Sequence, residues 1–125
     1  MKYLGVDFGL RRVGLAISRG ELASPLDTIR VKGLRDAAQK VSEFAKSQEF
    51  TKIVVGLPEG KMGQVVLGFI KALKRKGFEI ETADETLSSQ KAIQAMVELN
   101  VSKKARRFSD AQAAAIILQN FLDSK

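Results

Sequence analysis

The stretch Leu4-Gly5-Val6-Asp7-Phe8-Gly9-Leu10-Arg11-Arg12-Val13-Gly14-Leu15-Ala16-Ile17-Ser18 holds two apolar runs separated by a polar, glycine-bearing break. Lys2 to Phe8 alternates loosely and reads as a strand, Gly9-Leu10-Arg11-Arg12 supplies a turn, and Val13 to Ser18 reads as a strand returning antiparallel. The chain is therefore expected to open on a β-hairpin. Asp7 interrupts the first apolar strand immediately before the turn, where a purely structural segment would go on burying apolar surface.

Outward from the hairpin, Pro25 to Val31 reads as a third strand. From Leu34 the period changes: Leu34, Ala37, Ala38, Val41, Phe44 and Ala45 share one helical face, through about Gln48. Lys52-Ile53-Val54-Val55-Gly56-Leu57-Pro58 is a short continuous apolar run, the signature of a central strand buried on both faces. Val66, Phe69, Ile70 and Leu73 mark a helix that ends in Lys74-Arg75-Lys76 before Gly77, its cations suiting the negative end of the helix dipole. Phe78 to Ala83 alternates as a strand, and Ala92, Ile93, Met96 and Val97 mark the next helix. Ser109 and Gln112 stand at capping-box spacing and are expected to open a last, alanine-rich helix that packs closely on a sheet. The order βββαβαβαα predicts an α/β fold: a ribonuclease-H-like mixed five-stranded sheet, its first three strands antiparallel, flanked by helices.

A length of 125 residues fits one domain, expected to span 1–125, which can bury roughly two-thirds of its unfolded surface. No apolar run approaches the ~18 residues of a membrane span, and the N-terminus lacks a signal-peptide pattern, so a cytoplasmic protein is expected. The chain has no Cys and no His, which excludes disulfides, thiolate nucleophiles, imidazole bases and zinc-thiolate sites. Chemistry must then run on carboxylates, amines and hydroxyls, and any metal must be a hard cation held by oxygens, such as Mg²⁺ or Mn²⁺.

Three acids occupy comparable places: Asp7 at the end of the first strand, Glu85 after the last, and Asp110 at the start of the last helix. Ligands bind beyond the carboxyl ends of parallel strands, so these acids can converge there if the first and last strands are parallel. Clustered carboxylates repel one another unless a divalent cation neutralises them. Singly, each acid has an ordinary structural role as a turn or helix cap; the argument rests on the set.

The opening segment resembles the first motif of the YqgF (RuvX-type) Holliday junction resolvase family. Ser24-Pro25-Leu26-Asp27-Thr28-Ile29, Ile53 to Pro58, Asp84-Glu85-Thr86-Leu87-Ser88-Ser89, and Asp110 to Ala114 leading to Ile117-Leu118-Gln119 resemble further motifs in the same order. The resemblance implies a metal-dependent endonuclease acting on branched DNA or on the precursor of small-subunit ribosomal RNA. It implies that Asp7, Glu85 and Asp110 are the catalytic, metal-binding acids of a two-metal hydrolysis. Asp84 would stand behind them or cap a helix. Two departures touch the presumed substrate edge: the segment after Pro58 is shortened to Glu59-Gly60-Lys61-Met62-Gly63-Gln64, and Thr86 stands where Arg is common in the family. Glu59 reads as a solvated loop acid, with a substitute metal ligand as the alternative.

The formal charge is +7, and Lys103, Lys104, Arg106 and Arg107 supply four of those charges in an acid-free stretch directly before Asp110. With Arg11 and Arg12, just after Asp7, they are candidate nucleic-acid contacts to phosphate, while Lys71, Lys74, Arg75 and Lys76 read as a solvated helix face. Two rival functions follow from the same residues: a non-catalytic nucleic-acid-binding module, and a nucleotide phosphotransferase whose phosphate loop begins with a similar Asp-x-Gly hairpin. The expected partner is structured RNA precursor or branched DNA. A homodimer is left open, since symmetric junction cutting needs two active sites.

Overall fold

Alternation along the first strand decides which helix covers which side of the sheet. The computed structural model describes residues 2–84 and 103–124, with side chains left out at 84 and 103–109. Strands β1 (Tyr3–Asp7), β2 (Arg12–Ser18) and β3 (Ala23–Arg30) are followed by α1 (Leu34–Ser47), β4 (Lys52–Leu57), α2 (Lys61–Arg75), β5 (Glu79–Asp84) and α3 (Lys103–Asp123). The five strands form one sheet in the order β3-β2-β1-β4-β5. β2 runs antiparallel to both β1 and β3, whereas β1, β4 and β5 are mutually parallel. This is the expected mixed sheet, and β4 lies inside it as its unbroken apolar run requires.

Leu4, Val6, Val13, Leu15, Ile53 and Val55 project to one side, where they bury against Val41 of α1 and Val66, Phe69 and Leu73 of α2. Phe8, just past β1, stacks tilted on Phe69 with ring centroids 4.7 Å apart. The intervening residues Tyr3, Ala16 and Val54 project to the other side, against Ala114, Ile117 and Leu118 of α3. Each α1 and α2 contact therefore comes from one set of alternate strand positions, and each α3 contact from the other.

The second face is paved with small residues, which is why α3 comes so near. A Cβ built on Gly5 would stand 2.8 Å from Leu118 Cβ, and one on Gly56 would stand 2.6 Å from Ile117 Cδ1. The sheet thus leaves a groove across β2, β1 and β4 into which an alanine-rich helix settles.

Three elements start two or more residues from where the sequence places them. α3 begins at Lys103 rather than Ser109, because Lys, Ala and Arg are good helix formers and nothing in 103–108 breaks a helix. The Ser109 and Gln112 pair therefore lies within the helix. α2 begins at Lys61, so the segment Glu59 to Gln64, read as a loop, contributes its last four residues to the first helical turn. β3 begins at Ala23, with Pro25 accommodated on an edge strand. The helix expected around Ala92 to Val97 lies outside the described residues.

Candidate active site

Parallel pairing brings the carboxyl ends of β1, β4 and β5 to one edge of the sheet, with Leu57 in register with Asp84. Asp7 is the last residue of β1 and shares a pleat face with Tyr3 and Gly5. That face meets α3 in sequence. The Tyr3 ring packs edge-on against Phe121 at 5.9 Å, and Gly5 lies beneath Leu118 and Ala114. The helix therefore runs against the direction of β1, and its earlier turns arrive where β1 ends.

They arrive there as Asp110. Gly14 is the cross-strand partner of Asp7, and a Cβ on Gly14 would lie only 2.0 Å from the backbone oxygen of Asp110. Asp110 is thus set against the strand position beside Asp7, about two turns into α3. Its carboxylate is half-buried, and burial pushes its pKa up from the ordinary value while the nearby Arg12 guanidinium partly opposes that rise. Arg12 Nε is 3.1 Å from Asp110 Oδ2. The same oxygen is buried without any hydrogen bond, so the guanidinium compensates its charge without filling its acceptor sites.

An oxygen-only donor set with one buried, unfilled carboxylate oxygen fits a hard divalent cation. Among the described residues, the Asp110 backbone stands beside Gly14, the cross-strand partner of Asp7. Glu85 lies outside those residues, as do the surroundings of the Asp84 side chain, and no group of three potential ligands is found among the described residues. Glu59 is exposed, in keeping with its reading as a solvated acid.

Arg11 and Arg12 flank the same edge, and both are exposed. Lys103, Lys104, Arg106 and Arg107 occupy the first two turns of α3, upstream of Asp110 on the same helix. Several contributors were not evident in the sequence. Arg12 holds Asp110 as well as facing solvent, Gly14 sets the approach of α3, and Gln119 fixes the other end of that helix. The Ala23 N–H donates to Gln119 Oε1 at 2.9 Å, and Gln119 Nε2 donates to the Glu21 carbonyl at 3.0 Å. The available signal was the recurrence of glycine and alanine at alternate strand positions opposite an alanine-rich helix.

A family model described as "RuvX: Holliday junction resolvase" matches residues 1–124. A protein of Endomicrobium trichonymphae named "Putative pre-16S rRNA nuclease" is 36% identical over 133 residues, covering 98% of this chain and 95% of the relative. A Bacillus mycoides protein of the same name is 37% identical over 137 residues, covering 100% of both. Among solved structures, Thermus thermophilus RuvC in complex with Holliday junction substrate superposes with a TM-score of 0.59 at 18% identity, over 99% of this chain and 95% of that one. At that identity the structural likeness establishes the ribonuclease-H-like, RuvC-like fold.

Proposed function

The chain belongs to the RuvX family of Holliday junction resolvases, a family of nucleases, and from that premise we propose that it is a divalent-metal-dependent endonuclease that trims the precursor of small-subunit ribosomal RNA. One observation carries the reading: α3 sets Asp110 against Gly14, the cross-strand partner of Asp7, at the carboxyl edge of the parallel strands. The whole of 1–125 acts as one nuclease domain. The RNA substrate is favoured by the names of full-length relatives at 36% and 37% identity.

Asp7 and Asp110, with Glu85, are the residues that would hold Mg²⁺ or Mn²⁺. Such an ion would supply positive charge for the phosphoryl oxygens and lower the pKa of an attacking water, in a chain that has no histidine to act as a base. Asp110 must be ionised to bind a cation, and Arg12 favours that form against the opposing effect of burial. Arg11, Arg12, Lys103, Lys104, Arg106 and Arg107 hold the phosphate backbone near the acids. No helix among the described residues is long and apolar enough to cross a membrane, and the proposed site of action is the cytoplasm.

Junction resolution is the second reading, favoured by the description of the matching family model. It requires two active sites, hence a homodimer on the junction. The deciding experiment offers a pre-16S RNA fragment and a four-way DNA junction side by side, with Mg²⁺ or EDTA, to the native protein and to Asp7→Asn. Cleavage of the RNA that needs Mg²⁺ and disappears in Asp7→Asn is expected. Cleavage of the junction alone selects the second reading, and tight binding of either substrate without turnover would identify a binding module instead.

A further inference from the structure

A cleft of about 610 Å³ opens beside the candidate active site, lined by Arg11, Arg12, Arg30, Val31, Lys32 and Lys40. Its walls come from three segments: the β1–β2 turn, the end of β3 with the residues that follow, and the second turn of α1. Two backbone hydrogen bonds fix the first wall to the second. The Val31 N–H donates to the Arg11 carbonyl at 2.9 Å, and the Gly33 N–H donates to the Leu10 carbonyl at 3.0 Å. The cationic side chains therefore project from a braced frame rather than from an isolated loop.

Structural contacts use only part of this charge: Lys40 Nζ donates to the Arg30 carbonyl at 2.9 Å and pairs with Asp36, and Arg12 pairs with Asp110. Arg12 and Arg30 are direct cross-strand partners, a like-charge placement that disfavours strand pairing. Carboxylates offset only part of the charge: Asp110 lies beside Arg12, and Asp36 lies 3.2 Å from Lys40. Five lining cations less those two acids leave three positive charges around one concavity. Arg12 belongs to both places, since it lines the cleft and holds Asp110. A polyanion engaged at the acids would therefore continue into the cleft.

We infer that this cleft seats the sugar-phosphate backbone of the nucleic acid beyond the scissile bond, with Arg30, Lys32 and Lys40 as phosphate-binding residues. The inference rests on the proposed nuclease function for the identity of the polyanion. Arginine and lysine arranged in this way grip phosphates without reading bases, so the cleft contributes affinity and register but no sequence preference. Relief of the repulsion between Arg12 and Arg30 makes phosphate binding there more favourable than on a flat basic surface.

The test measures binding of a fluorescently labelled pre-16S RNA fragment in EDTA, by anisotropy over a range of KCl concentrations, alongside Mg²⁺-dependent cleavage. Arg30→Gln/Lys32→Gln is compared with native protein and with Lys71→Gln/Lys74→Gln, an exposed pair on α2. Loss of two phosphate contacts should lower the slope of log K against log salt by ~1.4 for single-stranded RNA, while the α2 pair leaves it unchanged. The melting temperature of the cleft variant should be no lower than that of the native protein, because a like-charge pair has been removed. An unchanged slope in the cleft variant, or an equal change in the α2 variant, overturns the inference even if cleavage proceeds. Binding that depends on the cleft without any cleavage would overturn the nuclease reading and leave the cleft assignment standing. Failure of the native protein to bind RNA overturns the RNA reading and, with it, the assignment of the cleft to RNA.

Discussion

At the scale of single residues, Asp110 carries opposing demands. A carboxylate with a raised folded-state pKa destabilises the fold above its unfolded value, and that penalty vanishes as pH falls below the unfolded value near 3.8. Asp110→Asn should therefore raise the melting temperature near neutral pH in EDTA, with the difference from native protein disappearing in acid. Mg²⁺ should raise the native melting temperature and leave that of Asp110→Asn nearly unmoved, since only the native site gains a ligand on folding. A variant less stable than native at pH 7 in EDTA would show that Arg12 outweighs burial. Asp36 has the reverse sign. It accepts the Lys32 N–H at 2.7 Å, and this hydrogen bond, with Lys40 nearby, holds its pKa below the ordinary value. Its contribution to stability is present above about pH 3.8 and is lost as pH falls through the lower folded value. Asp36→Asn should accordingly be less stable than native at pH 7 and converge with it in strong acid, as followed by urea unfolding across pH. Neither behaviour was legible in the sequence: Asp110 announced itself by type and motif, but its burial depends on a helix crossing the sheet from the far end of the chain.

At the scale of elements, the position of α3 against the sheet controls whether the acids meet. Gly14 and Gly56 test this in different ways, because the obstacle differs. A methyl on Gly14 meets the backbone of Asp110, whereas one on Gly56 meets the movable end of Ile117. Gly14→Ala should cost about 3 kcal/mol and Gly56→Ala about 1 kcal/mol of stability in urea unfolding. Cleavage by Gly14→Ala should fall further than its stability explains, since α3 must shift at Asp110 itself. Equal losses in the two variants would dissociate the groove from the site. At the other end of α3, Gln119→Ala removes the partner of a backbone N–H and should cost about 1 to 2 kcal/mol. Much of this architecture was legible: the hairpin, the two-sided strand β4, and the last helix as a close-packed element all follow from period and composition. α3 starts ahead of the Ser109–Gln112 capping pattern because helix propensity is uninterrupted through 103–108. Strand order and the crossing of α3, which place Asp110 against Gly14, depend on long-range contacts that no local pattern states.

Across the whole molecule, charge and fold must be considered together. The four cations Lys103, Lys104, Arg106 and Arg107 lie in the first two turns of α3, which has no acid in its first turn. Helix N-termini carry partial positive charge, so cations in a first turn cost about 0.3 to 1 kcal/mol each at low ionic strength. Folding alone would favour acids at those positions. Under the proposed function phosphate binding would account for the reversal, since a helix end and cations near it both favour phosphate. Replacing all four by Gln should leave the melting temperature unchanged or higher, and should reduce the salt slope of RNA binding by up to ~2.8. The losses should be separable from those at the cleft formed by Arg30 and Lys32, since the two groups approach the acids from different segments. Combining both sets of substitutions should then add their effects on the slope, as expected for contacts with distinct phosphates. A combined variant no weaker than either parent would mean that one phosphate is being counted twice, and the backbone would then follow a single path to Asp7 and Asp110 rather than passing both basic surfaces.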